Sequence, residues 1–448
     1  MGVKRISAAE PAAAGAKRPN IIFLLTDDHR WDALGCMGNP VVRTPTIDAL
    51  AAGGVLFTNT FVTTSICCAS RASIFTGQYA RRHGVQDFNT PFSPAAFGET
   101  YPQMLRREGY RVGFIGKYGV GDNAPPSPDP FDYWKGFPGQ GHYWPKVPGR
   151  TVHLTDLMAE QAVEFLRGCS AVRPFSLSVS FMAPHAQDGD PAQYLYAPRH
   201  KDLYRDVTVP VPLTADPKYF EAEPDFIRQS EGRVRWAKRF ATPESYQEMV
   251  KGYYRLITGV DDAVGAIVAA LKDGGLADNT VLIFMGDNGY YLGEHGLADK
   301  WFMHEESIRV PLIVHDPRLP AARRGTKRTE MVLNIDLAPT LLSVAGAPVP
   351  ARMQGRDLLP LVRGDSPPWR EDWFYEHLFP HKGIPKSEGV RTERWAYWKY
   401  IEQMHDAEWL YDLKNDPHET RNLVADAASA PVLEDLRQRV GRYRESLK

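Results

Sequence analysis

The sequence predicts an α/β protein: a largely parallel sheet covered by helices on both faces, followed by a small antiparallel sheet at the C-terminal end. Short continuous apolar runs fall at 21–25, 112–115, 175–182, 281–285 and 310–314, as strands buried on both faces require. Helical patterns separate most of them, and strands alternating with helices build parallel sheets. The antiparallel part rests on a third observation. Across 348–368 prolines, glycines and charges crowd together, and an aromatic-rich tail of short segments follows.

Residues 1–19 are Ala-rich and aperiodic, which reads as a loose tail. A main domain is expected over 20–360. Its first strand starts at Asn20 and ends in Thr26, Asp27 and Asp28. Helices fit 155–166 and 336–344. The longest helix starts at Thr242, an N-cap residue, with Pro243 at the first helical position, and stops at Gly274 and Gly275. Its apolar stripe runs through Tyr246, Val250, Tyr253, Ile257, Val260, Val264, Ile267 and Leu271 at three- and four-residue steps. Residues 361–448 are expected to form a sheet-plus-helix subdomain, with strands near 373–375, 389–391, 396–401 and 409–413 and a helix over 430–447. Trp395, Tyr397, Trp398 and Tyr400 alternate so regularly that most should form one face of that sheet.

Composition removes several function classes. With 43% apolar and 24% charged residues the chain is neither disordered nor collagenous. Its 53 Lys and Arg balance 54 Asp and Glu, so no chain-wide basic surface serves nucleic acid, although a local cationic pocket suits a small anion. Cys36, Cys67, Cys68 and Cys169 are too few and too irregular for a disulfide framework, and without CxxC no zinc ribbon is suggested. No run of 18 apolar residues exists, so no membrane span is expected. The N-terminal segment carries Lys4, Arg5, Glu10, Lys17 and Arg18 in place of the apolar stretch of an export signal.

In an open parallel sheet, ligands collect at the carboxyl ends of the strands. Asp27 and Asp28 close the first strand, and Asp287 with Asn288 closes the strand at 281–285, so four hard oxygen ligands from distant sequence positions can converge. Carboxylates plus an amide, without a thiolate or histidine cluster, suit Ca2+ or Mg2+ better than Zn2+. Either pair alone reads equally well as turn and capping residues. A second feature is Cys67-Cys68-Ala69-Ser70-Arg71, followed by Thr76-Gly77. A cysteine at a helix start sits where backbone N–H groups favour anions, and Arg71 adds a fixed cation; buried inert thiols are the competing reading.

This stretch resembles the signature of the type I sulfatases, Cys-x-(Pro or Ala)-x-Arg with Thr-Gly shortly after. Further blocks match that family in order: Thr26-Asp27-Asp28, Gly116-Lys117, Ala183-Pro184-His185, Gly286-Asp287-Asn288-Gly289, and Leu292-Gly293-Glu294-His295-Gly296 leading to Lys300. The resemblance covers 20–423. It implies an alkaline-phosphatase-like α/β/α sandwich with a small C-terminal antiparallel-sheet subdomain, and a sulfuric ester hydrolase. It implies that Cys67 is oxidised to formylglycine by a formylglycine-generating or anaerobic sulfatase-maturing enzyme. One divalent cation, Ca2+ or Mg2+, would be held by Asp27, Asp28, Asp287, Asn288 and the modified Cys67. On the same resemblance Arg71, Lys117 and Lys300 neutralise the sulfate and formylglycine oxygens. His185 protonates the departing alcohol, with Lys300 able to share that role, while the hydrated aldehyde accepts the sulfate and then collapses to release it.

One position departs from the family pattern. Many members read Gly-Lys-Trp-His-x-Gly where this chain has Gly116-Lys117-Tyr118-Gly119-Val120-Gly121. The assisting histidine is therefore missing at Gly119, and His142 is the candidate replacement, set against a surface or aromatic-packing role. The run from Tyr375-Glu376-His377 through Glu388-Gly389-Val390-Arg391-Thr392 to Asp416-Pro417 resembles bacterial carbohydrate sulfatases of the N-acetylglucosamine-6-sulfatase-like group. That implies a sulfated sugar substrate (glycosaminoglycan, mucin or algal glycan), substrate contacts at His295, His377 and Arg391, and action outside the cytoplasm. His295 is equally a structural loop residue, and His83 fits a solvated basic turn. The rival functions are formylglycine-dependent phosphonate or phosphate monoester hydrolysis, and sulfated-glycan binding without turnover.

Overall fold

The structure, a computed structural model, describes residues 18–121, 131–402 and 407–447. The tail expected over 1–19 lies, as far as residue 17, outside the described residues.

The main sheet begins with β1 (Asn20–Thr26), β2 (Val55–Phe61), β3 (Arg111–Lys117), β4 (Tyr133–Phe137), β5 (Phe175–Ser180) and β6 (Thr280–Gly286). A two-stranded hairpin, β7 (Tyr291–Leu292) and β8 (Ala298–Asp299), precedes β9 (Arg309–His315), β10 (Thr326–Arg328) and β11 (Val332–Leu333). The order across the sheet is β10-β2-β9-β6-β1-β5-β3-β4, with β11 also on β2. Among the described residues β9 alone runs against its sheet neighbours, β2 and β6. The run at 310–314 marks a strand buried on both faces without fixing its direction, because the two ladder types share one side-chain period. β2 escapes the apolar-run criterion because its middle is polar and its register on β9 shifts between Phe57 and Thr60.

Alternation along the strands divides the interior into two cores. Ile22 and Leu24 join Leu177, Val179, Leu282, Phe284 and Ile313 on one face, and Ile21, Phe23 and Leu25 join Val112, Phe114, Val281 and Leu312 on the other. The second core is closed by α1 (Cys67–Thr76), and the first by α2 (Leu154–Arg167) and α3 (Pro243–Asp273). α4 (Leu337–Val344) also lies on the second. Thr242 caps α3 through a reciprocal capping box with Ser245, and Pro243 fills the first helical position.

The C-terminal sheet is antiparallel, β12 (Asp372–His377), β13 (Ser387–Thr392), β14 (Trp395–Tyr400) and β15 (Glu408–Asp412), with α5 (Ala430–Ser446) against it through Leu433, Leu436 and Val440. Two expectations are corrected here. The helix Leu359–Arg363 buries Leu359, Leu361 and Val362 in the main domain's second core, so the division at 360/361 falls inside a main-domain helix. The tail aromatics occupy both faces of the small sheet: Tyr400 and Trp398 pack against Trp409, while Tyr397 points to the other side beside Leu410. Both Tyr397 and Trp398 are fully buried because α5 covers one face and the main domain the other, where Phe61 stacks on Trp373 at 5.3 Å. Among the described residues no helix is long and apolar enough to cross a membrane.

Two fully buried histidines make the fold acid-labile. Burial pushes His29 down to about 4 and His377 to about 3, from an ordinary 6.5. Below pH 6.5 the unfolded chain takes up protons that the folded chain refuses. Their contribution to stability is complete above pH 6.5 and is lost progressively as pH falls towards those folded values. At pH 5 the expected loss is about 2 kcal/mol per histidine. Melting curves between pH 7 and 5 should show it, and a variant with Phe at position 377 should lose less stability over that interval than the parent.

Candidate active site

Four adjacent strands, in the order β6-β1-β5-β3, end on one side of the sheet and deliver the ionic groups. The parallel register sets Thr26 beside Gly286, so the next residues, Asp27 and Asp287, follow side by side. The Asp287 N–H donates to the Thr26 carbonyl at 2.9 Å, and the Asp27 N–H to the Ala183 carbonyl at 3.3 Å, which ties the turn carrying His185 to the end of β1. Lys117 is the last residue of β3. Cys67 opens α1 after an extended Ile66, so the helix starts at the site.

The side chains interlock. Asp28, left-handed at φ 61°, accepts from Lys300 Nζ at 2.7 and 2.8 Å and from Asn288 Nδ2 at 2.6 Å, and its Oδ2 lies 3.5 Å from His185 Nε2. Asp287 accepts from Arg71 Nε at 2.9 Å and from the Asp28 N–H at 3.1 Å. Asp27 accepts from Lys117 Nζ and lies 3.3 Å from Arg71. Carboxylate oxygens of Asp27, Asp28 and Asp287 fall within 4.8 Å of one another, and so do ligand atoms of Asp27, Cys67 and His185. Asp27 Oδ1 and Asn288 Oδ1 are buried without a hydrogen-bond partner among the described residues.

Burial sets the protonation landscape, and charge pairing then splits it. Burial alone would raise Asp27, but Lys117, His185, Arg71 and Lys300 together hold its carboxyl well below the usual range. Burial and the neighbouring Asp27 push Asp287 up to about 7, against Arg71 and Lys117. Lys117 and Lys300 are both raised, burial being outweighed chiefly by Asp27 and by Asp28 respectively. Burial pushes the Cys67 thiol up to about 11 despite both lysines, and pushes His185 below its ordinary value. The His185 Nδ1 donates to the Ala186 carbonyl at 2.6 Å, because a carbonyl only accepts, so Nε2 is the nitrogen free for proton transfer.

A family model described as Sulfatase matches residues 19–347, and these carry every strand of the main sheet and every ionic group above. The chain belongs to the sulfatase family. A second model, N-sulphoglucosamine sulphohydrolase, C-terminal, matches residues 293–446. The chain is 28% identical to an N-acetylglucosamine-6-O-sulfatase of Bacteroides thetaiotaomicron, over 96% of this chain and 87% of that one. A protein solved in complex with its substrate D-glucosamine-2-N,6-O-disulfate superposes with a TM-score of 0.84 at 26% identity, covering 96% of this chain and 98% of the other. The phosphonate monoester hydrolase of Silicibacter pomeroyi shares the fold, with a TM-score of 0.79 at 22% identity over 96% of each chain. The protein is thus a sulfuric ester hydrolase with an alkaline-phosphatase-like α/β/α architecture and a small four-stranded C-terminal sheet.

The remaining residues singled out by sequence lie around the core of this sulfatase. Gly119 has φ 71°, and a Cβ there would stand 2.6 Å from Arg71 Cδ, so a histidine has no room while Arg71 keeps its pose. His142 is exposed, and Gln140, two residues earlier, is the residue that accepts from Lys117 Nζ. His295 is buried, left-handed at φ 53°, and stacked on His304. Arg391 donates to Glu305 at 2.9 Å over the Phe61 ring and lines a separate cleft of about 1090 Å³ between the main domain and the small sheet. His377 is sealed on the inner face of the small sheet with Phe379 beside it. His83 bonds Ser73 at 3.0 Å and accepts from the Val85 N–H, a structural part of its turn.

Other site residues lie at variable motif positions or outside any motif. Ser180 bridges Arg71 Nη1 and the Lys117 carbonyl, and Ser70, held by Asn334 at 2.9 Å, donates to the Asp287 carbonyl. Beside Lys300, Asp299 pairs with Arg239 at 2.6 Å and Arg235 at 3.1 Å, and both arginines continue outward to Asp188. Adjacency of Asp299 to Lys300 was the available sequence signal; Ser180 and Gln140 gave none.

Proposed function

We propose that this sulfatase removes sulfate from a sulfated sugar, with a 6-O-sulfated glucosamine as the first candidate, through a formylglycine made from Cys67 and one bound Ca2+. The observation that carries the reading is the convergence of the Cys67 thiol, Asp27 and His185 within 4.8 Å beside buried oxygens that have no hydrogen-bond partner among the described residues. Hard oxygens of Asp27, Asp28, Asp287 and Asn288 fit Ca2+, and two of them, Asp27 Oδ1 and Asn288 Oδ1, have unused acceptor capacity. When bound, the ion would supply charge to polarise the sulfate, and the hydrated aldehyde a nucleophile that can be regenerated.

The chain's own residues then divide the remaining work. Arg71, Lys117 and Lys300 offset the three carboxylates, so a divalent ion leaves the seat net positive for a tetrahedral anion. Ser180 fixes the Arg71 fork, and Gln140 fixes Lys117. His185, its Nδ1–H committed to Ala186, delivers a proton from Nε2 to the leaving oxygen only as the imidazolium, a form that burial opposes and the facing Asp28 carboxylate favours. The sugar assignment follows the N-acetylglucosamine-6-O-sulfatase relative and the neighbour solved with a disulfated glucosamine. Location outside the cytoplasm and dependence on a formylglycine-generating or anaerobic maturing enzyme belong to the same proposal.

The test is mass spectrometry of the peptide spanning Cys67, with turnover of glucosamine 6-O-sulfate and of a phosphonate monoester measured side by side. Expected are an aldehyde at position 67, activity that rises with its occupancy, and a kcat/KM at least about 100-fold higher for the sulfate ester. Preference for the phosphonate would assign the chain to the rival hydrolase class. A fully active enzyme whose Cys67 is still a thiol would overturn the proposal altogether.

A further inference from the structure

We infer a second metal site, for Zn2+ or a similar borderline cation, formed by Glu223, His295 and His304. A carboxylate oxygen of Glu223 and ring nitrogens of His295 and His304 lie within 4.8 Å of one another. Both histidines are buried, at 2% and 4% exposure, and the Nε2 atoms of both have no hydrogen-bond partner among the described residues. Two orphaned imidazole nitrogens in one buried spot are costly unless something meets them.

The surroundings have the chemistry that such a site needs. The second nitrogen of His304, Nδ1, is 2.6 Å from Tyr291 Oη; with the imidazole N–H as donor in that bond, Nε2 carries the lone pair a metal needs. Burial holds both rings neutral, as ligands must be, pushing His295 to about 3 and His304 well below its ordinary value. Burial also raises Glu223 to about 7, a shift that a cation would reverse. Glu306 and Glu419, both felt at Tyr291, are raised by burial, Glu306 further by Glu294 and Glu305, and Glu419 further by Glu306 and Glu305, so positive charge here relieves repulsion. Two imidazoles and one carboxylate are a nitrogen-rich set that favours Zn2+ over the hard cations suited to the Asp27 cluster. The rings are stacked, with centroids 4.3 Å apart at 20°. One must therefore turn about its soft terminal torsion for both lone pairs to reach an ion at about 2.0–2.1 Å.

The position gives the ion a structural task. His295 precedes Lys300 on the same loop, and His304 precedes β9 and packs on Trp398 of the small sheet at 5.0 Å. An ion here would clamp the Lys300 loop, the Glu223 segment and the small sheet together, without touching the sulfate seat. It would also offset the strain of a left-handed histidine at 295.

The experiment uses the whole chain, stripped with chelator, saturated with Ca2+ and then dialysed against trace Zn2+. Expected are about one retained Zn2+ per chain, intense visible absorption when Co2+ replaces it, and a higher Tm. Both Glu223→Gln and His304→Gln should weaken Zn2+ retention at least tenfold and lose the Tm rise. Glu223→Gln removes only the carboxylate charge of a partly buried residue and decides the matter if His304→Gln folds poorly. A Ca2+-loaded parent that holds no Zn2+, or Zn2+ retention unchanged in Glu223→Gln, would falsify the site. Neither result bears on the Cys67 chemistry, which is read separately from turnover.

Discussion

Cys67→Ala is expected to lower kcat on the sulfate ester by at least about 10⁴-fold, with only a small change in Tm. The argument rests on what an unmodified side chain at this position can do. As a thiol, Cys67 is pushed up to about 11 by burial, so near neutral pH it is protonated and a poor nucleophile. Retained thiol therefore adds almost nothing, and activity should follow the fraction of chains carrying the aldehyde. Cys67→Ser sharpens the point. A serine hydroxyl can accept one sulfuryl group but has no second hydroxyl to expel it, so release of the alcohol should stop at about one equivalent per chain. Undiminished turnover in Cys67→Ala, in metal-loaded enzyme, would show that the nucleophile lies elsewhere. The structural effect is small because the change removes one sulfur at the first turn of α1, while the helix stays anchored through Arg71, Ser70 and the apolar Ala72, Ile74 and Phe75.

The acidic half of the site was legible in the sequence for a structural reason. Acids just past a buried strand are carried to the sheet's carboxyl edge, and the β1–β6 register makes Asp27 and Asp287 neighbours although 260 positions separate Asp28 from its partner Asn288. The two-faced core was legible as well, because strands such as 21–25 and 281–285 bury both faces and so lose alternation. Motif proximity says less about tertiary partners. His295 lies inside the Gly-Glu-His-Gly block, with a left-handed backbone and its ring stacked on His304, a partner no local pattern announces. Arg391 sits in a stretch resembling sugar sulfatases; its Nε pairs with Glu305, while its Nη1 has no hydrogen-bond partner among the described residues. No local pattern predicts a tertiary ion pair, and for the same reason Ser180 and Gln140 were invisible. In the sequence Gly119 is only the absence of a histidine; in the fold it is a packing requirement set by Arg71.

Asp28→Ala should damage both chemistry and fold, and chelation should damage only the chemistry. Each carboxylate faces a cation of the chain itself: Asp27 has Lys117 and Arg71, Asp287 has Arg71, and Asp28 has Lys300. Removing a divalent ion therefore leaves the seat electrically balanced, so treatment with chelator should abolish turnover while Tm falls modestly. Removing the Asp28 carboxylate is different. Buried Lys300 keeps Asp299 at 3.4 Å but loses both of its shorter contacts, and a buried charge stripped of its main partner costs about 3–5 kcal/mol. Asn288 and His185 lose their contact with the same carboxylate, so the proton donor is no longer steadied. Asp28→Asn keeps the shape and one acceptor, and should unfold at a temperature between the parent and Asp28→Ala. Its kcat/KM should fall about 10³-fold and recover in part when Ca2+ is raised, as expected for a weakened ligand set. Asp28→Ala should recover little at any Ca2+ concentration. If chelation lowered Tm as far as Asp28→Ala does, the ion rather than the Asp28–Lys300 pair would be holding the carboxyl ends of these strands together.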